Sequence, residues 1–229
     1  VNLGEVFRSR ADSEKMLRGR LLHGCFEKLR WIDQGAPSEA LLVAQLRSIA
    51  PTVGDFKPYL SDFHKFLQRP KIKSLFSRRG YESNYLGSFA PLGQPGVDES
   101  ELAVEVQTER RFAVATDSGF IQGVIDRLIL IYQGDQLIAA DIVDLKTDDV
   151  ADGQLHEKIT AYRPQLATYR EAASQFLRLP IEQIATRLVF VSVGQVVNVD
   201  VVETTFDCGV SAKKNARARR ALAGESSAG

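Results

Sequence analysis

The chain has 229 residues, 44% of them hydrophobic, and its 29 basic and 29 acidic side chains cancel. That length buries one good core with room for an appended lobe, and zero net charge argues against a whole-domain electrostatic grip on nucleic acid. No apolar run reaches membrane-spanning length and no signal peptide opens the chain, so the expected setting is cytoplasmic, with no membrane partner.

Residues 11–33 predict a helix, with Leu17, Leu21, Leu22, Phe26 and Leu29 at helical spacing and Asp12 or Ser13 as its cap. Gly19, His23 and Glu27 are four apart and stack along one side. A glycine one turn before the histidine leaves room for a strand or a nucleotide. His23 read alone fits a hydrogen-bonded, partly buried histidine better than a ligand. Helices follow at 38–50 and 55–67. Five basic residues and no acidic one then occupy Arg69–Arg79, with Phe76, Tyr81 and Tyr85 among or after them. Such a segment can track phosphates and stack bases; it also fits a solvated helix end. Residues 87–100, rich in Gly and Pro, read as loop.

Leu102–Val114 alternates as a strand and carries Glu109. Two apolar runs, Phe120–Tyr132 and Gln136–Leu145, flank Gln133-Gly134-Asp135, a hairpin signal. With Gly134 and Asp135 at the tip, paired residues have numbers summing to about 269. Asp126 and Asp144 sum to 270 and therefore lie nearly opposite, their Cβ atoms roughly 5 Å apart. Period two puts Lys146 on the face of Asp144. Charges beside Ile and Val runs need partners or a metal, although a surface strand end with a salt bridge also accounts for them. A further helix follows Gly153, with Pro164 suited to its first turn and with Gln165 and Tyr169 on one face. Runs at 187–193 and 195–202 close the sheet around Gly194. From residue 211 the tail holds Lys213, Lys214, Arg217, Arg219 and Arg220 against Glu225, and it reads as basic and partly disordered. The rest of the chain then carries a net charge of −4, with 24 basic and 28 acidic side chains; an acidic body suits a carboxylate metal site.

Cys25 and Cys208 are too few for a four-cysteine zinc or iron–sulfur site. Neither GxGxxG, the phosphate-loop lysine signature nor a Gly-x-Ser-x-Gly elbow occurs. An ATP site and a serine hydrolase are both unsupported.

Four motifs carry a resemblance. Gly123-x-Ile125-Asp126-Arg127-Leu128, then Asp144-x-Lys146-Thr147, then Tyr162-x-x-Gln165-Leu166-x-x-Tyr169, with Gly19, His23 and Glu27 upstream, resemble the RecB-type branch of the PD-(D/E)XK nucleases. The nearest likeness is to the carboxy-terminal nuclease domain of AddA- and RecB-like helicase–nucleases. The resemblance implies an α/β fold with a mixed central sheet flanked by helices, and residues 36–100 form a helical insertion at the DNA entrance. It implies that Asp126, Asp144 and Lys146 are catalytic, and that His23, Asp126, Asp144 and the Leu145 carbonyl hold Mg²⁺, with Mn²⁺ as a substitute and no iron–sulfur cluster. Gln165, Tyr169, Glu109 and Arg127 take DNA-binding or supporting roles. Because the chain opens on Val rather than Met, residues 1–229 are expected to be one nuclease domain of a longer protein. The implied partners are single-stranded DNA, a helicase region of the same parent chain and a second nuclease subunit. A free-standing nuclease of the same branch and a catalytically silent DNA- or partner-binding module are the alternatives, and the survival of both aspartates and the lysine weighs against the second.

Overall fold

The two apolar runs around Gly134 form the centre of the sheet. The structure, a computed structural model, describes residues 3–89, 92, 97–116, 119–147, 150–151 and 153–199. Strands β1 (Leu102–Thr116), β2 (Gly119–Gln133), β3 (Gln136–Lys146), β4 (Ile184–Phe190) and β5 (Gln195–Asn198) lie side by side in sequence order. Only β3 and β4 run parallel, joined by helix α6 (Leu155–Leu177), as a parallel pair requires a crossover. The result is the expected α/β fold with a mixed sheet.

Helices α1 (Leu3–Glu27), α2 (Glu39–Ile49), α3 (Lys57–Leu67), α4 (Pro70–Phe76) and α5 (Arg78–Asn84) cover one face of the sheet, and α6 covers the other. With both faces covered, β2 and β3 bury nearly unbroken apolar runs. Leu21, Leu22, Phe26, Phe63 and Phe76 join Ile129, Ile131 and Val143 in one cluster, while Leu128, Leu130, Ile142 and Leu188 join Leu166 and Ala173 in the other.

Register decides which side chains meet. Gln133 pairs with Gln136 and Tyr132 with Leu137, but Ile131 pairs with Ala139, leaving Ile138 as a bulge. Beyond it the partners sum to 270, through Arg127 and Val143, so one more step sets Asp126 opposite Asp144. From Arg127 outward β2 loses β3 and pairs with β1 alone, ending at Thr116 and Gly119. The outer half of this hairpin leaves the sheet as a two-stranded arm. At the base of the arm the alternation changes phase. Val104 and Val106 bury toward the α1 side, whereas Phe112 and Val114, of the same parity, bury toward α6. The change falls at Glu109, whose φ is +49°, a left-handed conformation uncommon outside glycine.

Three boundary expectations give way. Helix α1 starts at Leu3, so Ser13 lies inside it rather than capping it, and it stops at Glu27. The Arg127 guanidinium meets the turn that follows, donating to the carbonyls of Leu29 (3.0 Å) and Arg30 (2.5 Å). Pro164 sits in the middle of α6 and not in its first turn; it lies on the exposed side, where water can satisfy the carbonyl it leaves unbonded. The basic segment 69–79 forms α4 and the start of α5, and its aromatics are core: Phe76 and Tyr81 are wholly buried. They are shut away from any base. Tyr81 Oη donates to Asp141 Oδ2 at 3.0 Å, and Arg187 Nε meets the same oxygen at 2.5 Å, tying α5 to β3 and β4.

Candidate active site

Three elements bring ligand-type atoms to one point. His23 comes from α1, Glu109 from the phase change in β1, and Asp126 from the end of the paired part of β2; one ligand atom of each lies within 4.8 Å of the others. The Leu145 amide donates to Asp126 Oδ2 at 2.7 Å, and His23 Nδ1 stands 3.7 Å from Asp126 Oδ1. A hydrogen bond with the Leu145 backbone also acts on the imidazole. Gly19 helps the helix reach so far in: a Cβ there would lie 2.9 Å from Thr147 Oγ1, so a larger residue would make Thr147 turn aside for α1 to close on the end of β3.

The electrostatics of this corner are unfavourable to the bare carboxylates. Burial, and then the neighbouring Asp144, push Asp126 up to about 7. Burial and Asp126 raise Glu109 as well, while burial lowers His23 and favours the neutral imidazole. A divalent cation would offset the charge that makes these clustered acids resist ionisation, and the histidine is already in the neutral form that a metal binds. The donors are two carboxylates and one imidazole, a set suited to Mg²⁺, Mn²⁺ or a similar ion.

A second group of side chains stands against the first. Lys146 Nζ lies 2.7 Å from Asp144 Oδ2, 3.2 Å from Gln165 Oε1 and 3.9 Å above the centre of the Tyr162 ring. Gln165 Nε2 donates to Tyr169 Oη at 3.0 Å and reaches Asp144 Oδ1 at 3.4 Å. Helical spacing on α6 presents Tyr162, Gln165 and Tyr169 together, and Gly123 makes space for Tyr169, since a Cβ there would stand 3.1 Å from its ring. These residues line a cleft of about 230 Å³ that also includes His23 and Asp126. His23, Asp126 and Thr147 also line an adjoining groove of about 1020 Å³, bordered by Lys15, Arg20 and Arg111.

Asp126, Asp144, Leu145, Lys146, His23, Gln165 and Tyr169 therefore meet at one cleft, and Glu109 meets them from the groove side. The compact ligand group differs from the expected one in holding Glu109, while Asp144 is engaged by Lys146 on its own strand face. Arg127 is not in the cleft. It is 1% exposed and faces the opposite layer, between Trp31 and Phe76. Glu27 is turned to Lys28 and to Gln45 of α2. Tyr162 and Thr147 belong to the motifs read from sequence, yet their contacts with Lys146 and Gly19 were not foreseen; the spacing Tyr162-x-x-Gln165 was the available signal. Cys25 is a buried core thiol pushed up to about 12. Cys208 and the basic tail from residue 211 lie outside the described residues. Among the described residues, no helix is long and apolar enough to cross a membrane.

Comparison with known proteins adds one finding. The family model for the PD-(D/E)XK nuclease superfamily matches residues 3–225, nearly the whole chain. A search of curated proteins returned no match.

Proposed function

Because the chain belongs to the PD-(D/E)XK nuclease superfamily, we propose that it hydrolyses phosphodiester bonds in DNA with a divalent cation, Mg²⁺ or in its place Mn²⁺. The observation that carries this reading is the meeting of the His23–Glu109–Asp126 group with the Asp144–Lys146–Gln165 group at one cleft. His23, Glu109 and Asp126 would hold the ion, with Asp144 and the Leu145 carbonyl completing an oxygen-rich wall. When bound, the cation supplies charge neutralisation at the phosphate and a more acidic water.

The protein's own groups do the rest. Lys146 carries its ammonium at the cleft, where it offsets negative charge growing on phosphate oxygens. Its three neighbours, Asp144, Gln165 and the Tyr162 ring, fix its direction before substrate arrives, so little reorganisation is needed at the moment of reaction. Tyr169 steadies Gln165 in turn. Among the described residues the cleft is lined by no serine or cysteine, which fits direct attack by water.

The finer reading extends the resemblance. Residues 1–229 form one nuclease domain, with 36–100 as a helical insertion, of a cytoplasmic AddA- or RecB-like helicase–nuclease acting on single-stranded DNA ends in recombinational repair. Its partners are the helicase region of the same parent chain and a second nuclease subunit. The test is cleavage of labelled single-stranded DNA with Mg²⁺, with Mn²⁺ and with chelator, for the wild type and for Asp144→Ala. Metal-dependent cutting that Asp144→Ala abolishes, while its melting stays cooperative, is the expected result. Cleavage by a folded Asp144→Ala protein, or none by the wild type with any divalent cation, overturns the reading.

A further inference from the structure

We propose that the outer face of the β1–β2 arm is a binding platform for single-stranded nucleic acid, on which Phe120 stacks an unpaired base away from the scissile phosphate. This rests on the nuclease reading above. On the arm, Arg111 pairs with Val124, Ala113 with Gln122 and Ala115 with Phe120. Paired residues share a face, and the opposite face is the one occupied by Phe112, Val114, Gly123 and Ile125 toward α6. Beyond the Glu109–Asp126 corner the free face therefore reads outward in rungs: Arg111 with Val124, Ala113 with Gln122, Ala115 with Phe120. It is continuous with the site, since Val124 lines the cleft and Arg111 lines the groove.

The chemistry along these rungs suits one kind of occupant. Arg111 offers a cation to a phosphate beside the cleft, and Lys15 and Arg20 border the same groove. Ala113 and Ala115 leave a low floor beyond it. Phe120 ends the path with a ring that is 82% exposed, although full burial of such a ring ordinarily stabilises by about 1.5–3 kcal/mol. Six strand steps separate Phe120 from Asp126, about 20 Å at the usual rise, so several nucleotides of an extended strand fit between the two. Only an unpaired strand offers base faces to such a ring, because duplex bases hide theirs in the stack. A protein partner finds little apolar surface here, since the other free-face residues are Arg111, Gln122, two alanines and Val124, which is half-buried beside the cleft.

Base–aromatic stacking lost by alanine substitution costs about 5- to 150-fold in affinity per base. The probe is a fluorescently labelled oligothymidylate, titrated by anisotropy with Ca²⁺ in place of Mg²⁺. Phe120→Ala should weaken binding within that range and Phe120→Trp should restore it. Arg111→Gln should reduce the slope of log affinity against log salt by about one. An oligonucleotide series with 2-aminopurine moved along the strand should show stacking-induced quenching at one position with the wild type and none with Phe120→Ala. If the wild type binds and Phe120→Ala binds equally well, with the same quenching, the arm has no such role while the nuclease reading stands. If the wild type binds no strand and cuts none, both fall.

Discussion

Replacing Asp126 by asparagine should stabilise the metal-free protein. The Asp126 side chain is 16% exposed, and burial with Asp144 nearby moves it from the ordinary 3.8 to about 7. Each tenfold change in proton affinity corresponds to about 1.4 kcal/mol, so at pH 8 the ionised carboxylate costs the fold up to about 4 kcal/mol. Asparagine keeps an acceptor for the Leu145 amide and removes the charge. The direction with pH follows from linkage. The native state binds the extra proton between about pH 4 and 7, so this contribution favours the fold at the acid end and is lost as pH rises through the native value. In chelator, wild type should lose stability relative to Asp126→Asn from pH 5 to pH 8. At pH 8 the variant should lead by about 2–4 kcal/mol, or roughly 5–15 °C in melting temperature for a chain of this size. Adding Mn²⁺ should raise the wild-type melting temperature at pH 8 and leave the variant nearly unmoved. Calorimetric melts at both pH values, with and without metal, measure all of this. A variant that melts at or below wild type in chelator at pH 8 would refute the argument, because the buried charge would then cost nothing.

Two other substitutions separate chemistry from support. Lys146→Ala should lower kcat by about 10²–10³-fold at saturating metal, and Lys146→Arg should not restore it, since a planar guanidinium cannot keep the ammonium's fit to Asp144, Gln165 and the Tyr162 ring; single-turnover cleavage with an unchanged metal midpoint is the check. Arg127→Ala should cost about 3–5 kcal/mol in urea denaturation, because two turn carbonyls lose their donor and a void opens between Trp31 and Phe76. Oligonucleotide affinity of the protein still folded at low urea should stay at the wild-type level, which would assign Arg127 to the core rather than to DNA.

Much of the site was legible because it depends on local period and one turn. The hairpin around Gly134 brings Asp126, Asp144 and Lys146 together, and the four-residue spacings on α1 and α6 put His23 on a face with Gly19 and Gln165 on a face with Tyr169. That those two faces reach the hairpin was implied by the family resemblance and not by spacing. The pairing sum needed one residue of slack, and the bulge at Ile138 supplies it. Without the bulge Asp144 would fall opposite Ile125 instead of Asp126. What could not be read depends on tertiary packing. Arg127 follows a site aspartate directly, and strand alternation sends it to the far layer, where Trp31 and Phe76 await it. Phe76 and Tyr81 looked like base-stacking aromatics because their neighbours are basic; only the chain's return beneath the sheet shows that they are core. Pro164 marked a helix start by rule, and an exposed helix face let it sit elsewhere. The Asp141–Arg187–Tyr81 cluster joins residues far apart in sequence and left no periodic trace.

The left-handed backbone at Glu109 bears on how such a site would decay. Glycine adopts that conformation freely, and asparagine more readily than glutamate does, so the carboxylate is held at a standing conformational cost of order 1 kcal/mol. Asp126 carries a larger electrostatic cost a few ångströms away. A descendant released from selection for cleavage therefore becomes more robust by shedding these two acids, and it has no comparable incentive to shed Lys146 or Gln165. Silent descendants of this chain should carry glycine or asparagine at the first position and an uncharged residue at the second, around an α6 face that still looks intact.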